Sequence, residues 1–187
     1  MNHPRWFIAL LSPPPIASAV DTLARESCRH WGDGRALRSP PHVTLIPPFR
    51  RSRDAIAPVQ TWLRSMAQGC QPFEMTWGGW DCFAPRVIYL AVPPTEPLQR
   101  LRHQLMDGIR DEFAIDHPRD RDRPFCPHVT LAYAGRKHHD FEHLWHTMPK
   151  EPFSATFTAR SLTLLRDDGH GWDVDGHYPF ATEIAEP

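Results

Sequence analysis

Pro41-His42-Val43-Thr44-Leu45 and Pro127-His128-Val129-Thr130-Leu131 are the same pentapeptide, repeated 86 residues apart in a chain of 187. Duplication explains such a repeat more readily than chance, and it splits the chain into two comparable halves. Val and Thr are β-branched, so each copy favours an extended strand. Side chains alternate along a strand, which puts His42 and Thr44 on one face and Val43 and Leu45 on the other. His128 and Thr130 repeat the arrangement. If the halves fold alike and pack about a pseudo-dyad, both His–Thr pairs face one cleft, with a histidine on each side of a bound group.

These residue types suit phosphoryl chemistry. Histidine titrates nearest neutral pH, and a threonine hydroxyl can donate to an anionic oxygen. One neutral histidine can take a proton from an attacking water while the other, protonated, supplies one to the leaving oxygen. Each role is typically worth roughly 10²–10⁴ in rate. Thr44 and Thr130 would hold the non-bridging oxygens and share the charge that builds in the transition state. His42 and His128 are therefore the catalytic candidates, with near-neutral pKa values expected for both, and Thr44 and Thr130 the phosphate-binding ones.

No cofactor and no metal are expected. The sequence has no G-x-x-x-x-G-K-[ST] loop, no G-x-S-x-G elbow and no H-E-x-x-H pair. His139, His143 and His146 fall at i, i+4 and i+7 and could make a metal face. Their neighbours His138, Asp140 and Glu142 read instead as a solvated helix surface. The four cysteines, at 28, 70, 82 and 126, form no C-x-x-C pair and read as scattered reduced thiols.

A composition of 41% hydrophobic and 23% charged residues fits one soluble domain or two small lobes sharing a core. The net charge of −1 argues against a strongly basic nucleic-acid coat but not against local capture of phosphate. Every Lys or Arg except Lys137 and Lys150 is arginine. Arg50, Arg51 and Arg53 follow the first tetrad, and Arg119, Arg121 and Arg123 precede the second. They read either as rims for a polyanion or as solvated loops, with Asp120 and Asp122 offsetting the second group. The apolar run Trp6–Leu11 stops before Pro13-Pro14-Pro15, too short for a signal core or a membrane helix. A cytoplasmic monomer without a membrane partner is the expectation.

Periodicity predicts a strand over 5–11, a helix over 16–31 closed by Gly32 and Gly34, and a strand over 42–46 ended by Pro47-Pro48. A helix capped by Ser52 should run to about Gln68. Strands over 72–82 and 86–92 should flank a turn at Ala84-Pro85. The second half repeats the order, with a helix over 95–113, a loop and a strand over 128–134. A short helix near 140–147, a long strand over 153–165 and a closing strand over 172–182 complete an α+β unit.

The paired tetrads, the opening Arg5-Trp6-Phe7-Ile8-Ala9-Leu10, the segment Phe125-Cys126-Pro127-His128-Val129-Thr130-Leu131 and Ser161-Leu162-Thr163-Leu164-Leu165 together resemble the 2H phosphoesterase superfamily. Its hallmark is two His-x-Thr-x tetrads in duplicated lobes. The likeness is strongest to the RNA 2′,3′-cyclic phosphodiesterase group, historically the 2′-5′ RNA ligase family, and covers nearly the whole chain. It implies a single bilobal domain over residues 1–187, pseudo-symmetric, with antiparallel sheets lining a central groove and helices outside. It also implies metal-independent hydrolysis of a ribose 2′,3′-cyclic phosphate, on an RNA end or a small nucleotide, with His42 as acid and His128 as base. Cleavage or reversible joining of 2′-5′ linkages is one alternative; a non-catalytic module that binds RNA ends is another. Two departures from the group's pattern are Ile46-Pro47-Pro48-Phe49 after the first tetrad and Tyr133 where an arginine often stands. Phe125 and Tyr133, with Arg50 and Arg51, are the substrate-contact candidates.

Overall fold

The computed structural model describes residues 3–31, 33–121, 123–133, 141–147 and 150–181. The first half runs β1 (Arg5–Leu11), α1 (Pro14–Trp31), a 3₁₀ helix (Gly34–Arg38), β2 (His42–Arg50), α2 (Ala57–Gln68), β3 (Phe73–Gly78) and β4 (Trp80–Phe83). The second runs β5 (Val87–Ala91), α3 (Glu96–Phe113), α4 (Pro118–Arg121), β6 (His128–Tyr133), α5 (Phe141–Thr147), β7 (Ser154–Ala159), β8 (Ser161–Asp167) and β9 (Trp172–Pro179). One sheet has the order β2-β1-β8-β9 and another β4-β5-β6, while β3 and β7 form a two-stranded ribbon. All pairings are antiparallel. The α+β, antiparallel, duplicated fold is the one expected.

The duplication is written into the strand register. Leu11 opposes His42 and Ala9 opposes Thr44; in the other sheet Ala91 opposes His128 and Tyr89 opposes Thr130. Both ladders slip at the same place. Ile8 pairs with Ile46 while Ala9 pairs with Thr44, and Ile88 pairs with Ala132 while Tyr89 pairs with Thr130. Leu45 and Leu131 are therefore the extra residues of equivalent β-bulges, which bend a strand and re-aim its side chains.

The faces turned away from the tetrads build the core. Val43, Leu45, Ile46, Val129, Leu131 and Ala132 are fully buried. On α3, Leu98, Leu101, Leu105 and Ile109 recur at spacings of three and four and join them. Each such side chain contributes roughly 1.5–3 kcal/mol by leaving water. The helices cross over: α1 lies against β6 and α3 against β2. Cys28 on α1 points its Sγ at the Leu131 carbonyl of the opposite tetrad strand. The two halves thus share one core.

Several boundaries differ from expectation. β2 does not end at Pro47-Pro48 but runs on to Arg50. It is an edge strand, and the ladder shifts register between Trp6 and Ile8, where missing N–H donors do little harm. Ser52 closes a local turn by accepting from the Ala55 N–H; α2 starts later, with proline in its first turn. The prolines before Ile16 likewise sit at the start of α1, where a missing N–H costs little. Of the glycines expected to close α1, Gly32 lies outside the described residues and Gly34 opens the 3₁₀ helix.

The expected strand over 72–82 breaks at Gly79, whose φ of 78° suits glycine. The one over 153–165 breaks at Arg160. In both cases the pieces serve different sheets: β3 pairs with β7, whereas β4 pairs with β5 and β8 with β1. Gly78 permits that handover, since a Cβ there would stand 2.6 Å from the Phe153 carbonyl. Among the described residues no helix is long and apolar enough to cross a membrane.

Candidate active site

The two bulged strands bring their tetrads to one pocket. His42 and Thr44 from β2 line it together with Thr130 and Tyr133 from β6. Phe7 of β1 and Trp172 of β9 share the wall, and Arg35 reaches in from the 3₁₀ helix. His128 lies close enough for its charge to disfavour a proton on His42. Three of the four residues singled out from the repeat thus line one pocket, and His128, which is not among its lining residues, lies within electrostatic reach of His42.

Both rings are aimed by the same device. His42 Nδ1 is 2.8 Å from the Pro40 carbonyl, and His128 Nδ1 is 2.8 Å from the Cys126 carbonyl. A carbonyl oxygen can only accept, so Nδ1 carries a proton and donates it. Nε2 is left for chemistry, as a base when bare and as an acid when protonated.

Enclosure sets the charge. Burial pushes His42 down to about 4; the Pro40 carbonyl pulls it back in part, and the neighbouring His128 lowers it further. Burial also lowers His128, against the opposing pull of the Cys126 carbonyl. The expectation of near-neutral values is corrected accordingly. At pH 7 the protein alone holds both rings neutral, and an anion placed between them would favour protonation again.

The neighbours of the two rings differ. His42 packs on Phe7 at 4.7 Å between ring centroids, and Trp172 meets Phe7 edge-on at 4.5 Å. His128 has Phe83 edge-on at 4.9 Å and Tyr89 at 5.1 Å. The Tyr89 hydroxyl donates to Asp81 at 3.1 Å, and burial raises its pKa.

Of the substrate-contact candidates, Tyr133 lines the pocket, with the Arg35 guanidinium 4.8 Å from its ring centroid. Phe125 stands apart, packed against the core beneath the buried Arg102 guanidinium at 4.6 Å. Arg50 donates to the His3 carbonyl and Arg51 to that of Phe113. A strand advances about 3.3 Å per residue, so Arg50 stands roughly 25 Å along β2 from His42, outside the pocket. Of the helical histidines, His139 lies outside the described residues, while His143 and His146 sit on α5. Among the described residues no group of His, Cys, Asp or Glu could hold a metal ion.

Sequence reasoning missed Arg35 and Trp172. Asp33 carries a signal for the first: its side chain caps the 3₁₀ helix by accepting from the Arg35 N–H. Trp172 comes three residues after the Asp-Asp-Gly turn and gives no sign in the sequence of lining the pocket.

Residues 12–171 match the family model described as the 2′-5′ RNA ligase superfamily. A Bacillus licheniformis protein provisionally named a phosphoesterase is 36% identical over 106 residues, covering 56% of this chain and 57% of that protein. A Geobacillus kaustophilus protein with the same provisional name is 32% identical over 133 residues, covering 68% of each. The match thus spans little more than half the length of the Bacillus relative. Among solved structures, TT0787 of Thermus thermophilus superposes with a TM-score of 0.69 at 20% identity, covering 96% of this chain and 99% of that one. LigT of E. coli, solved in complex with 3′-AMP, gives a TM-score of 0.61 at 19% identity over the same shares. At these identities the likeness shows the fold.

Proposed function

The chain belongs to the 2′-5′ RNA ligase superfamily, and from that premise we propose that it is a metal-independent cyclic phosphodiesterase. It opens a ribose 2′,3′-cyclic phosphate, on an RNA end or a small nucleotide, and leaves a 2′-phosphate. The observation that carries this reading is the doubled His–Thr pair, whose rings are pinned at Nδ1 and whose two strands meet at one pocket. The 3′-AMP held by LigT, which shares the fold, supports a nucleotide ligand.

Water attacks phosphorus and the P–O3′ bond breaks. One histidine accepts the water proton at Nε2 while the other gives its Nε2 proton to the departing 3′ oxygen. The Thr44 and Thr130 hydroxyls donate to the non-bridging oxygens as their charge grows. The resemblance assigns the acid to His42 and the base to His128. Enclosure works against a proton on His42, so the substrate's negative charge must restore it on binding. The two halves act as one bilobal unit.

The test is turnover of a nucleoside 2′,3′-cyclic phosphate against a 2′-5′-linked dinucleotide, in EDTA, with the product identified by ³¹P NMR. A 2′-phosphate formed from the cyclic substrate is expected. Preference for the 2′-5′ linkage would move the assignment to a 2′-5′ phosphodiesterase or ligase. Binding without turnover of either would make the chain an RNA-end binding module.

A further inference from the structure

We infer that Arg35 is a third phosphate-holding side chain of this site, a fixed guanidinium that draws the anion in and bonds its non-bridging oxygens beside Thr44 and Thr130. This role rests on the phosphoesterase reading of the pocket and adds a residue to it. The pocket is small, about 180 Å³, and Arg35 lines it together with His42, Thr44 and Thr130. A phosphate held by the threonine hydroxyls therefore stands near the guanidinium. The side chain is also oriented in advance. One Asp33 oxygen accepts from Arg35 Nε at 2.8 Å, and the other accepts from the Arg35 main-chain N–H at 2.9 Å. Arg35 Cζ lies 4.8 Å from the centroid of the Tyr133 ring. An arginine held on two sides has less rotamer freedom to lose when an anion arrives.

Tyr133 is at hand because of the bulge. In an unbroken strand Thr130 and Tyr133, three residues apart, would face opposite sides. The extra residue at Leu131 returns Tyr133 to the side of Thr130, so its ring lies at the pocket and not in the core. One irregularity thus serves both the tetrad and the platform under the guanidinium.

Charge gives the guanidinium its task. Enclosure leaves both rings neutral at pH 7, so the histidines by themselves offer an arriving phosphate no positive charge. Among the described lining residues the charged side chains are Arg35 and Asp21, and the first of these attracts an anion while the second opposes it. Asp33 uses the N–H at Nε; the N–H groups on the terminal nitrogens can meet two oxygens of one phosphate at once.

Calorimetry with inorganic phosphate at pH 7 reads the contact without turnover. Arg35→Gln should weaken phosphate binding by roughly tenfold or more and lose part of the wild-type salt dependence. Arg35→Lys, which keeps the charge but gives up the fork, should fall between the two. Tyr133→Leu, which removes the platform and leaves the arginine, should weaken binding by a smaller factor. Arg100→Gln removes the same charge from α3, where Arg100 pairs with Glu96, and should bind phosphate as the wild type does. With adenosine 2′,3′-cyclic phosphate, Arg35→Gln should raise KM more than it lowers kcat. Phosphate affinity in Arg35→Gln close to that of the wild type, or an equal loss in Arg100→Gln, overturns the inference, as does a wild-type protein that binds no phosphate. Should Arg35→Gln fail to fold, unchanged affinity in both Arg35→Lys and Tyr133→Leu overturns it. If the cyclic substrate is not turned over, the proposed reaction fails and the phosphate titration still judges Arg35.

Discussion

The two tetrads share a sequence, a bulge and an anchoring carbonyl, and they differ in almost everything that touches them. His42 is enclosed by Phe7 and the segment carrying Pro40, and its titration drops to about 4. His128 is flanked by Phe83, a residue 37% exposed, and by a tyrosine tied to a carboxylate. Where Tyr89 stands opposite Thr130, the first lobe has only Ala9 opposite Thr44. Duplication has supplied matched geometry, and divergence of the packing has supplied unequal electrostatics.

The largest test of this comparison removes each ring in turn. His42→Ala and His128→Ala should each lower kcat by roughly 10²–10⁴, and the double variant should be little worse than either, since the pair acts as a unit. A single variant with near-wild-type turnover would break the two-histidine mechanism. The hydroxyls come next. Thr44→Ala and Thr130→Ala each remove a hydrogen bond to a charged group worth about 1.5–3 kcal/mol. Unequal losses in kcat would show which lobe carries more of the transition-state charge.

Acidity sharpens the comparison further. Both rings fold with lowered pKa values, while unfolded histidine titrates near 6.5, so below that pH the unfolded chain binds protons first. Stability should be intact above pH 6.5 and decline as pH falls toward 4, with His42 accounting for at most about 3 kcal/mol. Urea unfolding at pH 7, 5 and 4 measures the decline; phosphate should blunt it and His42→Ala should flatten it. The profile of kcat/KM should be a bell with limbs near 4 and below 6.5, and that of kcat should lie higher because the bound anion favours protonated rings. A kcat/KM bell centred above pH 7 would contradict the enclosure argument. The smallest effect belongs to Tyr89→Phe, which severs the tie to Asp81. Stability should fall by about 0.5–1.5 kcal/mol, with kcat within a few fold of wild type; a much larger loss in kcat would give this hydroxyl a part in the reaction.

What the sequence disclosed follows the same division. The tetrads were legible because alternation and an exact repeat are local signals. The bulges were present as the adjacent apolar pairs Leu45-Ile46 and Leu131-Ala132, whose members are both buried only because the strand slips a residue there. Whether a strand tolerates Pro47-Pro48 depends on its being at an edge, and sheet order is not a local property. The breaks at Gly79 and Arg160 depend likewise on which sheet claims each piece. Arg50 and Arg51 misled through sequence proximity, since an extended chain carries each residue farther from the site. Arg35 was hidden because its reach depends on the 3₁₀ segment docking on β6 and α1, with its end close to the β8–β9 turn, where a Cβ at Gly171 would stand 3.0 Å from the Arg38 carbonyl.

The carbonyls that aim the two rings belong to the main chain, and no codon spells a carbonyl. Pro40 and Cys126 have nothing in common as side chains, yet they serve identically. Point mutation therefore reaches everything around the imidazoles and leaves their pointing alone. A lineage built this way can try new linings, and with them new molecules, without first putting its proton relay at risk.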